Sequence, residues 1–178
     1  MRRLRAIADI LLALGLMVAL ILAARWTRET FDPPERMGGA GEAVRIVDGD
    51  SLTIDGRAAR LIGIDAPELR QNCTGADGAA WPCGREAQAA LGRLVGSGPI
   101  TCESRAQDRY RRALVRCRNG EDRDIGKAML RQGWAVALPR YASPGYELAE
   151  SAAQAAARGV WRGDFTRPAE WRAAQSRD

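Results

Sequence analysis

Histidine is absent from all 178 residues. That excludes Ser-His-Asp and Cys-His catalysis, nucleases built on a histidine base, and the usual histidine-bearing zinc sites. Lysine is almost absent too. Lys127 stands alone among 27 basic residues, so every other positive side chain is an arginine. From Gly41 onward 21 basic and 18 acidic residues leave a net charge of +3, which suits contact with a polyanion rather than wrapping around one. No C-x₂-C pair occurs, which removes the commonest zinc-finger spacing. For phosphoryl or acyl chemistry there remain carboxylate, arginine, tyrosine, serine and a bound metal.

Long apolar runs are equally scarce, with one exception at the N-terminus. Arg2, Arg3 and Arg5 precede an uninterrupted apolar run from Ile10 to Ala24, closed by Arg25 and Arg28. At ~1.5 Å per residue that run alone is short for a ~30 Å hydrocarbon layer, and Ile7 and Ala8 extend it if Asp9 snorkels. No good A-x-A cleavage site follows. The reading is an uncleaved signal anchor that contacts the membrane through residues 7–24, with an N-terminus inside and a domain outside the cytoplasm. Secretion after signal cleavage is the alternative. The inner or cell membrane is the expected location, facing the periplasm in a Gram-negative cell.

The chain then divides into a stub and anchor (1–25), a Pro/Gly-rich linker (26–41), a main domain (42–166) and a tail (167–178). Within the domain, strands are predicted at Ala43–Val47, Ser51–Ile54 and Ala58–Ile64, joined by Asp48-Gly49 and Asp55-Gly56 turns. A helix is predicted at Arg85–Val95, and a hairpin of Pro99–Ser104 and Ala113–Arg118 around D-R-Y-R-R. Asp122 is expected to cap a helix over Asp124–Gln132, and Pro144 to start one ending at Arg158. The expected fold is mainly β with helices (α+β): a five-stranded Greek-key barrel of the OB type with about three helices, after one transmembrane signal-anchor helix.

Four cysteines add to this. Cys73 and Cys83 bracket a Gly-rich loop, and Cys102 and Cys117 stand where two antiparallel strands would oppose them. Local disulfides are the pairing that the strand reading favours; a Cys₄ zinc site and free buried thiols are the alternatives. Disulfides would agree with an exported domain.

The chemistry concentrates in V-R-I-V-D-G-D-S-L-T-I-D-G-R-A-A-R-L-I-G-I-D-A-P-E, from Val44 to Glu68. Asp50, Asp65 and Glu68 supply carboxylates for a hard cation, and Arg60 supplies a guanidinium for a phosphate. The second block, Asp108 to Arg112, adds another arginine. These are the parts of a metal-assisted phosphodiesterase. An isolated D-G-D would be ordinary turn chemistry; the whole set together points to a site.

V-D-G-D-S, R-L-I-G-I-D-A-P-E, D-R-Y-R-R, R-Q-G-W-A and G-V-W, in that order, resemble the staphylococcal nuclease (thermonuclease) family over roughly Glu42 to Phe165. The resemblance implies a calcium-dependent phosphodiesterase of OB fold that hydrolyses DNA and RNA to 5′-hydroxyl and 3′-phosphate ends. It further implies Ca²⁺ on Asp50, Asp65 and the Ala66 carbonyl, and catalysis by Arg60, Glu68 and Arg112. Tyr110 and Tyr141 match substrate-pocket tyrosines, and Asp48 an acid outside the first metal shell. Two positions depart from the pattern. Arg111 replaces the usual glycine before Arg112, and Pro139 stands where a second pocket tyrosine would be. A monomer with no obligate protein partner is expected. The alternative function is a catalytically silent OB module of the envelope that binds nucleic acid or protein.

Overall fold

The computed structural model describes residues 2–31, 33–138, 140–141 and 145–176; within the first helix, side chains are described for residues 10–25. The chain divides into two units, residues 1–34 and 35–178. The first is a helix, α1 (Arg2–Phe31), whose large apolar side chains between Ile10 and Leu22 are exposed. Among the described residues, no helix is long and apolar enough to cross a membrane.

The second unit follows the alternation of its sequence. Its first strands are β1 (Glu35–Gly39), β2 (Val44–Ile46), β3 (Ser51–Ile54), β4 (Arg57–Leu61) and β5 (Ile64–Asp65), with β-branched or leucine side chains in β2 to β5 and none in β1. Then come β6 (Cys73–Gly75), β7 (Ala80–Trp81), α2 (Cys83–Val95), β8 (Ile100–Gln107) and β9 (Ala113–Arg118). The chain ends with α3 (Ile125–Arg131), β10 (Val136–Ala137), α4 (Tyr146–Ala155), β11 (Gly163–Asp164) and α5 (Pro168–Gln175).

Six strands form the main sheet in the order β1-β8-β9-β4-β3-β2. Its two edge strands, β1 and β2, are consecutive in the chain and separated only by residues 40–43. So short a link between opposite edges requires the sheet to curl, and the result is an α+β fold with a curled half-barrel sheet. Leu52, Ile54, Leu61, Ile100 and Val115 fill its concave side against Ala87, Leu91, Met129, Leu130 and Tyr146 from α2, α3 and α4.

Several expectations are corrected. The main sheet has six strands rather than five, because residues 35–39, read as linker, pair with β8 along their whole length. Among the described residues four α-helices follow α1 rather than about three, because α5 forms within the expected tail. The predicted third strand is two strands. Gly63, at φ 85°, turns the chain after β4, so β5 leaves the main sheet and pairs with β10. Asp124, not Asp122, caps α3, accepting from the Lys127 N–H at 2.9 Å and from the buried Tyr146 hydroxyl at 2.8 Å. Pro144 lies outside the described residues.

Both disulfides form in the local pairing. Cys102 and Cys117 face one another across β8 and β9. Cys73–Cys83 ties β6 to the start of α2, within a small second core of Val160, Trp81, Trp161 and Phe165. The glycines of R-Q-G-W and G-V-W explain each other: a side chain on Gly133 would meet the Arg158 carbonyl at 2.1 Å, and one on Gly159 the Gly133 carbonyl at 2.2 Å.

Candidate active site

Asp50 follows the bend after β2, where the Asp48 carboxylate accepts the Asp50 N–H at 3.0 Å. That turn directs Asp50 inward, and only 2% of it is exposed. Its Oδ1 accepts from Ser51 Oγ at 2.9 Å, and its Oδ2 from the Ala66 N–H at 3.0 Å. Asp65, equally buried, closes β5 just before Pro67 ends the strand. The two carboxylates converge on one nitrogen. Arg60 Nη2, reaching from β4, lies 2.6 Å from Asp50 Oδ2 and 2.7 Å from Asp65 Oδ1. A single positive centre thus bridges two hard oxygens, which is the demand a hard cation would meet.

Burial dominates the electrostatics of Asp50 and pushes its pKa up to about 7; Arg60 pulls it down, and Asp48 and Asp65 add to the rise. The folded state therefore holds a proton there that the unfolded chain loses above an ordinary aspartate pKa of 3.8. The sign follows: this contribution to stability is fully present below about pH 4, is lost as pH rises to about 7, and changes little beyond. In chelator, urea unfolding between pH 4 and pH 7 should show a decline approaching about 1.4 kcal/mol per pH unit from this group. Asp50→Asn should flatten that segment of the profile; an unchanged slope in the variant would assign the decline elsewhere.

Glu68 sits one residue after Pro67, at the exit of β5. Buried Gln71 holds its backbone: the Glu68 N–H donates to Gln71 Oε1 at 3.2 Å, and the Gln71 N–H donates to the Glu68 carbonyl at 2.7 Å. From behind, α2 packs so closely that a side chain on Gly84 would meet the Glu68 carbonyl at 1.8 Å. The Glu68 carboxylate itself faces the pocket.

Arg112 ends the turn between β8 and β9, and Asp108 organises that turn. Its Oδ1 accepts the N–H groups of Tyr110 (2.8 Å) and Arg112 (3.0 Å), and its Oδ2 lies 2.7 Å from both Nε and Nη2 of Arg112. These bonds outweigh desolvation and hold the Asp108 pKa below its ordinary value. Arg112 Nη1 reaches Ser51 Oγ at 3.3 Å, and Ser51 in turn donates to Asp50. Arg111 adopts φ 65°, the conformation a glycine would take freely. Its arginine costs about 1 kcal/mol there, so Arg111→Gly should raise the melting temperature slightly and leave the Arg112 position intact. A lower melting temperature would mean that the Arg111 side chain contributes more than the strain costs.

A pocket of about 1090 Å³ joins these groups. Arg60, Asp65, Glu68 and Arg112 line it with Tyr110 and Tyr141. Tyr110 is 64% exposed, with the guanidinium carbons of Arg109 and Arg112 at 4.8 and 5.6 Å from its ring centroid. Tyr141 is 47% exposed. Asp50 and Ala66 lie behind the wall, reached through Arg60 and through their own hydrogen bond. Pro139 lies outside the described residues. Among those residues no three His, Cys, Asp or Glu side chains converge as a ready-made metal cluster. The hard-oxygen donors that would suit a cation such as Ca²⁺ are the carboxylates of the two aspartates that share Arg60 Nη2.

Three residues were not singled out from the sequence. Gln71 acts through the backbone it holds, and Asp108 through both the backbone of its turn and the Arg112 guanidinium. Arg172, on α5, donates from Nη1 and Nη2 to Asp65 Oδ1 and Oδ2 at 3.0 and 3.1 Å, and from Nη1 to Glu68 Oε1 at 2.6 Å. No local signal marks it, since R-P-A-E-W-R resembles any surface helix start.

A profile of the family described as staphylococcal nuclease homologue matches residues 58–163. The succinoglycan biosynthesis protein ExoI of Rhizobium meliloti (strain 1021) is 33% identical over 129 residues, covering 70% of this chain and 68% of the relative. Protein ParB of Escherichia coli is 30% identical over 148 residues, covering 74% of this chain and 78% of the relative.

Proposed function

This chain belongs to the staphylococcal nuclease homologue family, and from that premise we propose that it is a calcium-dependent phosphodiesterase acting on DNA and RNA. The observation that carries the reading is the convergence of Asp50 and Asp65 on one positive centre, beside a pocket lined by Glu68 and Arg112.

Asp50, Asp65 and the Ala66 carbonyl would hold the ion. When bound, Ca²⁺ supplies positive charge to the oxygens of a scissile phosphate without proton transfer. Arg60 commits only Nη2 to the aspartates, which leaves Nε and Nη1 for a nonbridging phosphate oxygen. Arg112, fixed by Asp108, presents its remaining N–H groups from the opposite turn. Glu68 takes a proton from the attacking water as the water oxygen bonds to phosphorus. The bond from phosphorus to the 5′ oxygen breaks, and that oxygen takes a proton from solvent water while Glu68 returns its own to solvent, leaving a 5′-hydroxyl and a 3′-phosphate. Tyr110 and Tyr141 offer faces for a neighbouring base, where a stack contributes roughly 1–3 kcal/mol.

The disulfides support an extracytoplasmic location, and we propose that the exposed apolar residues of α1 attach the chain to the cell membrane. Residues 35–178 would form an OB-type catalytic domain.

Incubating the full chain with single-stranded DNA or RNA tests the activity. Degradation should require a divalent cation, proceed best with Ca²⁺ and stop in EGTA. Full activity in chelator, or rescue by Zn²⁺ alone, would overturn the metal assignment. No cleavage under any cation, with nucleic acid still bound, would favour the silent binding module.

A further inference from the structure

Arg172 occupies a position that the catalytic reading leaves unexplained. Its guanidinium fork covers both oxygens of Asp65, and Nη1 also reaches Glu68. Asp65 Oδ1 already accepts from Arg60 Nη2, so this carboxylate carries three donors from two arginines. A carboxylate has about four lone-pair sites in all. Ca²⁺ sits about 2.3–2.6 Å from its oxygens, so sharing Oδ1 would bring it within about 5–6 Å of Arg172 Nη1. Two like charges that close repel, so the ion and an arginine fork on the same carboxylate weaken one another.

Of the two arginines, Arg172 is the one able to leave. Arg60 lies in β4, hydrogen-bonded on both sides to β3 and β9, and its side chain is 16% exposed. Arg172 is on an eight-residue helix of which only Pro168 is buried, and its side chain is 42% exposed. The segment before the helix is pinned, because Gln71 Nε2 donates to the Thr166 carbonyl at 2.7 Å. With Thr166 held and only Pro168 of the helix buried, release of Arg172 would leave α5 attached at its base alone. Ala169, Arg172, Ala173 and Ser176 form one wall of the pocket, so its departure would widen the space for a polynucleotide.

We propose that Arg172 is a further affinity-determining residue of this site: an internal counter-ion that holds Asp65 and Glu68 until a divalent cation displaces it, and whose displacement frees α5 from the pocket. The inference rests on the cation site proposed above. Linkage makes it reciprocal. If docking of Arg172 weakens the cation by some factor, the cation weakens docking of Arg172 by the same factor.

The test uses the full chain, with Ca²⁺ titrated calorimetrically into the wild type and Arg172→Met, and amide hydrogen exchange followed over residues 168–175. Met keeps the length of the stem and removes the fork. Arg172→Met should bind Ca²⁺ about tenfold more tightly. Exchange in α5 should accelerate in the wild type when Ca²⁺ is added, and be fast with or without Ca²⁺ in the variant. Equal or weaker Ca²⁺ affinity in the variant, with the wild type binding normally, would overturn this inference and leave the cation site standing. Failure of both proteins to bind Ca²⁺ would overturn the cation site and the inference with it. Should Arg172→Met not fold, Arg172→Lys must shift affinity in the same direction to a smaller extent; unchanged α5 exchange in the wild type on saturation with Ca²⁺ also refutes the proposal.

Discussion

Arg60→Lys and Arg112→Lys should each lower turnover by about 10²–10³-fold while the protein stays folded, the cost typical of losing one preorganised donor in a transition state. The two losses have different geometry. Lysine at 60 has one nitrogen, and the bridge between Asp50 and Asp65 would consume it, leaving nothing for the phosphate. Lysine at 112 cannot bond Asp108 and also face the pocket, whereas the arginine uses Nε and Nη2 for the first task and keeps other donors for the second. Glu68→Gln should match them in size by removing the proton acceptor. Steady-state cleavage assays beside thermal melts check these expectations. Near-normal cleavage by any folded variant would remove that residue from the mechanism.

Removing either disulfide should cost about 3 kcal/mol by the chain-entropy argument, given sequence separations of 10 and 15. Activity should respond unequally. Cys73–Cys83 lies against the site: Cys83 Sγ is 3.4 Å from the Gln71 carbonyl, and neighbouring Gly84 packs on Glu68. Its paired Ala variant should therefore lose turnover even where it remains folded. Cys102–Cys117 crosslinks β8 and β9 away from their turn, and its paired Ala variant should chiefly lower the urea midpoint. Equal losses of turnover at matched stability would contradict this separation. Thiol labelling in the native membrane checks the compartment as well. Four thiols labelled freely without reductant would place the domain in the cytoplasm.

Much of the architecture was legible because its signals are local. Asp55-Gly56, both at positive φ, forms the expected hairpin turn, and β3, α2 and β9 lie close to where alternation and helical spacing put them. The cysteine pairing was legible for the same reason, since each partner is near in sequence. Edge strand β1 was not: E-R-M-G-G buries only Met37 and is a strand because β8 offers it hydrogen bonds. The break at Gly63 was also hidden inside L-I-G-I, a run without a charged residue that reads equally well as one strand.

The sequence by itself determined which groups this protein brings to its chemistry. Without histidine and with one lysine, it works with carboxylates and arginines, and their types and order identify the family. Only the tertiary structure decided who meets whom. Asp50 and Asp65 share one arginine nitrogen because β5 turns out of the sheet at Gly63, and Glu68 is oriented by buried Gln71 and the start of α2. Arg172 joins Asp65 across 107 positions of sequence. Such a contact leaves no trace in periodicity or turn chemistry, because it depends on where the whole sheet sets down its last helix and not on any preference of the residues around it.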